Sequence, residues 1–275
     1  MVRRVHRARK LDQAHYVTEQ HHGTGLCPVF LRAFEDVNIM SSLYDIATGS
    51  ATLLRELGVY EVTKGVWAFT DVGKASQGYL HHSHKPVALV AYAVVDPIFA
   101  RGRFPGYALT DLVDKIPCLD GDEYAALSKV CGAPPPAYPS AKKRAEIFGN
   151  LAWEIVADYG LEPCFMEVDP FGDEGRHYAM RPRGYEPAGG TPIEADLKAM
   201  RSAYKGMTPL QQVMTLTLLH LYSQGPDKFY LTRGCPTKIP AADAVAILSE
   251  DGVALSKWGR LLSHCLLYTS DAADE

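Results

Sequence analysis

The sequence predicts a mixed α+β fold, with a β-hairpin in its first third and a helix-rich remainder that holds a few strands. Three observations predict it. Apolar residues recur at three-to-four spacing in several segments, as they do on a helix with one buried face. After Val59 the period changes to two, in two short runs of β-branched and aromatic residues. Capping and stop residues bracket the helical segments of the second half, at Ser140, Gly160 and Thr208.

Residues 1–41 are poorly periodic, and residues 21–25 look like a loop. Leu43, Ile46, Ala47, Leu54 and Leu57 then mark one helix, or two joined at Gly49, with Gly58 as a stop. Val59–Thr63 and Val66–Phe69 are predicted strands, and Lys64-Gly65 between them suits a tight turn. Thr70 is placed to cap a short helix reaching Tyr79.

Residues 86–100 stay open between strand and helix, since their valines favour a buried strand while their length permits a helix. Helical patterns follow at 109–116 and 123–130. Residues 133–139 carry Pro134, Pro135, Pro136 and Pro139, which stiffen the chain into a candidate domain boundary. A helix is predicted over 141–159, with Phe148, Leu151, Ala152, Ile155 and Tyr159 on one face. A strand is expected at 164–168, then an irregular glycine- and arginine-rich stretch at 171–190. Thr208, Pro209 and Gln211 open the next helix through a capping box, and Gly225-Pro226 ends it. A short strand at 229–232 and helices at 240–250 and 253–262 complete the reading.

Composition limits the function classes. The 275 residues are 47% hydrophobic and 22% charged, enough apolar material for a substantial core. No apolar run reaches the roughly 18 residues that span a bilayer, and the most apolar stretch, 86–100, is broken by Asp96 and Pro97. No apolar segment follows the basic residues at the start, so a secretory leader is not expected and a cytoplasmic location is.

Residues 265–275 resemble a translated sequencing adapter, which implies a truncated reading frame. Without Asp271, Asp274 and Glu275 the formal charge moves from −4 to −1. The expected organisation is thus 1–85, 86–264 and a non-native tail. Cys27, Cys118, Cys131, Cys164 and Cys235 form no Cys-x-x-Cys pair, which argues for buried thiols over a zinc finger or a disulfide framework. His81, His82 and His84 read as a solvated loop, and Asp169, Asp173 and Glu174 as a solvated turn, so no metal is expected.

The order of Leu53-Leu-Arg-Glu-Leu-Gly-Val59, a hairpin holding Gly65-Val66-Trp67, and Phe69-Thr-Asp-Val-Gly-Lys-Ala75 resembles the last helix, wing and closing helix of winged-helix DNA-binding domains. The likeness covers about residues 42–80. It implies an N-terminal winged-helix-like region followed by a helix-rich α/β remainder. It also implies a helix in the major groove of duplex DNA and a basic wing on the phosphates. Arg55, Lys64 and Lys74 are then the candidate contacts. Arg3, Arg4, Arg7, Arg9 and Lys10 would add affinity that is independent of sequence, through counterion release.

A second likeness runs through about residues 144–187. Arg144-Ala-Glu-Ile-Phe-Gly149 opens a helix. Glu167-Val-Asp-Pro170, Tyr178 and Arg183-Gly-Tyr-Glu-Pro187 follow it. The order resembles the acetyl-CoA N-acyltransferase superfamily, with Ile147 standing where that pattern has its first glycine. The resemblance implies acetyl-CoA as cofactor, Arg144 and Gly149 beside its pyrophosphate, and Tyr178 as general acid. The leading expectation is a non-enzymatic DNA-binding or regulatory protein that needs no cofactor. A divergent acyltransferase and a protein–protein interaction module are the alternatives.

Overall fold

The apolar run after Pro86 folds as a helix. In the computed structural model Val87 to Ala93 are all buried, so no solvent face is left to print a period on the sequence. The structure describes residues 55, 59–63, 66–69, 86–95, 107–116, 119–133, 137–167, 180–186, 190–223, 230–232 and 234–265. All of them lie in the second of two units, Asn38–Glu275; the first is Met1–Val37. The described part is mostly helical, with two small two-stranded sheets.

The first sheet is the predicted hairpin, β1 (Val59–Thr63) and β2 (Val66–Phe69), paired antiparallel. Val59 faces Phe69 and Thr63 faces Val66, and the register slips between Glu61 and Thr63. That slip leaves Val62 as an extra residue, which increases the local twist. The predicted turn at Lys64-Gly65 and the helix after Thr70 lie outside the described residues.

Helices follow in the order α1 (Pro86–Val95), α2 (Leu109–Lys115), α3 (Gly121–Val130) and α4 (Ala141–Asp158). The second sheet comes next, β3 (Phe165–Glu167) with β4 (Met180–Pro182), and then α5 (Glu194–Gly206), α6 (Pro209–Ser223), α7 (Ala241–Ser249) and α8 (Gly252–Ser263). Local chemistry explains several of the boundaries. Asp120 caps α3 by accepting from the Glu123 amide at 2.9 Å, and Ser140 caps α4 from the Lys143 amide. Asp251 accepts from both Val253 and Ala254 at the start of α8. Gly160 ends α4 at φ +64°, a conformation that costs glycine little.

Helix α7 packs on α1, α2, α6 and α8, while α8 also contacts α3 and α4. Helix α6 is buried from Val213 to Leu221, with Thr215, Thr217 and His220 among the apolar residues. Trp258 of α8 is fully buried and donates through Nε1 to Thr217 Oγ1 at 3.1 Å; that hydroxyl in turn donates to the Val213 carbonyl. Burying Thr217 therefore leaves no polar atom unsatisfied. The Leu109 amide donates to the Ile239 carbonyl at 2.8 Å, and the Ala241 amide to the Tyr107 carbonyl at 3.0 Å, so the entries to α2 and α7 are sewn together. Outside the core, Lys257 of α8 bridges Glu154 and Asp158 of α4.

Three expectations need correction. Residues 171–190 are not irregular throughout, because Met180–Pro182 pairs with β3, Met166 facing Arg181. A three-residue strand carries almost no local signal, and its pairing is non-local. Residues 230–232 form a turn instead of a strand, with the Tyr230 carbonyl taken by Arg201 Nε at 2.7 Å and unavailable to a ladder. Helix α5 has no counterpart in the sequence reading. Only Leu197, Met200 and Tyr204 make its buried stripe, and its N-cap, Ile193, offers no capping side chain.

Candidate functional site

Most of the residues singled out in the sequence, namely Arg3, Arg4, Arg7, Arg9, Lys10, Lys64, Lys74 and Tyr178, lie outside the described residues. So do His81, His82, His84, Asp169, Asp173 and Glu174. Arg55 is described; it is helical and exposed, shortly before β1.

Arg144 and Gly149 both lie inside α4 and both are buried. Helix α4 already begins at Ala141, and the Arg144 amide donates to the Ser140 carbonyl at 2.8 Å. The acyl-CoA resemblance would need a loop here, with backbone amides turned toward a pyrophosphate. The guanidinium is engaged as well. Its Nη1 donates to Tyr138 Oη at 2.8 Å and its Nη2 to the Cys265 carbonyl at 3.0 Å. Tyr124, packed edge-on against exposed Tyr138 and buried His264, completes a polar junction of α3, α4 and α8. Burial holds the His264 imidazole below its usual pKa, and it is only partly opposed by the contact with the Arg260 carbonyl.

Two of the described thiols are held unreactive. Cys131 and Cys164 are buried, and desolvation pushes both thiols up to about 12. Among the described residues no group of His, Cys, Asp and Glu side chains is arranged to hold a metal. No helix among them is long and apolar enough to cross a membrane.

The feature that stands apart is a cleft of about 480 Å³ along α5. Glu194, Lys198, Arg201, Ser202 and Lys205 line it from the helix, and Thr232 lines it from outside the helix. The spacing follows the helix: positions three and four apart share a face, so Lys198, Arg201 and Lys205 stack one turn above another. Leu197, Met200 and Tyr204 occupy the buried face and fix the rotation of the helix. Tyr204 adds a hydrogen bond to the Pro236 carbonyl at 2.7 Å. Arg201 is oriented by its Nε bond to Tyr230. Cys235 lies near enough to feel Lys205 and Arg201, although burial still raises its thiol.

Sequence reasoning missed this row because it missed the helix. The cations at 198, 201 and 205 form a line only on a helical backbone. No family model, no curated protein and no solved structure matches the chain.

Proposed function

We propose that the chain is a non-enzymatic DNA-binding or regulatory protein that contacts duplex DNA through a winged-helix-like region. One observation supports this reading above the others. Exposed, helical Arg55 precedes an antiparallel hairpin whose last pair, Thr63 and Val66, is separated in sequence only by Lys64-Gly65. This order of helix and ribbon suits a helix laid in a groove with a basic tip against the flanking phosphates. The arginine-rich start of the chain supplies further phosphate partners in the proposal.

The test is fluorescence anisotropy of the full chain with duplex DNA across a salt series. Phosphate contacts predict that log affinity falls linearly with log salt. Arg55→Ala and Lys64→Ala should each reduce that slope by about one. Absence of binding at low salt would remove the DNA reading.

A further inference from the structure

We propose that the α5 cleft is a binding site for a small phosphorylated molecule, best matched by one carrying two linked phosphates. This does not rest on the DNA reading and concerns different residues.

Charge is the first argument. Among the described lining residues, Lys198, Arg201 and Lys205 share the α5 face with one carboxylate, Glu194, and Ser202 and Thr232 add hydroxyl side chains. Ammonium, guanidinium and hydroxyl donors together match the acceptor-only oxygens of a phosphate. Shape is the second. A concave site of about 480 Å³ falls within the size range of small-molecule pockets, whereas a duplex presents a convex surface. Length is the third. Lys198 and Lys205 are two helical turns apart, about 10 Å along the axis, with Arg201 between them. One phosphate group engages part of such a row, and a diphosphate engages more of it.

The cleft is also polar in direction. Glu194 stands at the amino end of α5 and Lys205 at the carboxyl end. The phosphates belong at the Arg201–Lys205 end, and a ligand hydroxyl or amine belongs near Glu194. The scaffold is preorganised: Arg201 is held by the Tyr230 carbonyl and Tyr204 by the Pro236 carbonyl, so less order is lost on binding.

Inorganic pyrophosphate is the probe, titrated calorimetrically into the full chain at low ionic strength, with inorganic phosphate for comparison. Saturable binding is expected, tighter for pyrophosphate than for phosphate. The double variant K198E/K205E changes two exposed side chains and should retain the parent circular-dichroism spectrum. It should weaken pyrophosphate binding by about tenfold or more. The control Lys129→Glu, an exposed cation on α3, should leave binding unchanged.

A second readout follows from the neighbouring thiol. Bound pyrophosphate screens Lys205 and Arg201, so iodoacetamide should modify Cys235 more slowly, as measured by peptide mass spectrometry. No saturable binding, or an equal loss in Lys129→Glu, would overturn the proposal. So would duplex DNA that displaces pyrophosphate while K198E/K205E abolishes DNA binding, since the cleft would then be a backbone contact. Arg55→Ala should leave pyrophosphate binding intact, which separates a failure here from a failure of the DNA reading.

Discussion

Arg144 Nη2 donates to the Cys265 carbonyl at 3.0 Å, tying α4 to the residues that leave α8. Arg144 is 4% exposed, and Tyr138 Oη takes its other terminal nitrogen. Neither acceptor is a carboxylate, so the bond network fixes geometry without neutralising the charge. Arg144→Ala would remove the hydrogen bond to a buried residue's carbonyl and leave a cavity, at a cost of about 2–4 kcal/mol. Arg144→Lys keeps the charge but loses the fork that reaches both acceptors, and should recover only part of the loss. Urea unfolding of the three chains measures both effects.

Gly259 of α8 meets Cys131 at the end of α3. A Cβ at Gly259 would lie 2.9 Å from the Cys131 Cβ and closer still to its Sγ. Gly259→Ala should therefore destabilise the chain by about 1–3 kcal/mol through overpacking, despite alanine's better helix propensity. Cys131→Ala removes the Sγ and should return part of that loss in the double variant, a coupling that a thermodynamic cycle would measure.

How legible the fold was depended on where each element met solvent. Helix α4 was readable because Ser140 and Gly160 bracket an amphipathic stripe, and α6 because Thr208 and Gln211 form a box. Helix α1 was not, since a helix buried all round shows no period. Helix α5 failed for the opposite reason. Three apolar positions among charged ones, with no capping side chain, look like a polar loop. Losing α5 meant losing the cleft, because Lys198, Arg201 and Lys205 become one row only when three and four residues make a turn. The sequence marks Arg144 by its spacing to Gly149, whereas packing uses it as a clamp between helices.

Acid should loosen the junction around His264. Desolvation, set against the contact with the Arg260 carbonyl and joined by the nearby Arg260 and Arg144 charges, lowers its pKa from the usual 6.5. The groups that face the ring are Tyr124 from α3, Arg144 from α4, and Arg260 and Ser263 from α8 itself. A base with a lower pKa when folded binds more protons when unfolded. Its contribution to stability is full above 6.5 and is lost as the pH falls from there through the folded value. Unfolding midpoints should drop over that window, and His264→Gln should flatten the dependence. An unchanged slope in His264→Gln would assign the effect to other groups.

Gln211 separates two roles within one side chain. Its Oε1 accepts from the Thr208 backbone amide at 2.9 Å, while the Gln211 backbone amide donates to Thr208 Oγ1, which is the capping box visible in the sequence. Its Nε2 donates to the Tyr159 carbonyl at 2.8 Å, a tie from the start of α6 to the end of α4 that no local pattern announces. Gln211→Glu keeps the acceptor for the box and adds a negative charge at a helix start, where the dipole favours it. It also turns a donor into a second acceptor pointing at the Tyr159 carbonyl. If capping alone mattered, Gln211→Glu would be neutral or slightly stabilising. The tie predicts a loss of about 1–2 kcal/mol, since two acceptors cannot share a hydrogen bond. Gln211→Ala, which removes both roles, should cost more, and thermal unfolding of the two variants side by side ranks the contributions.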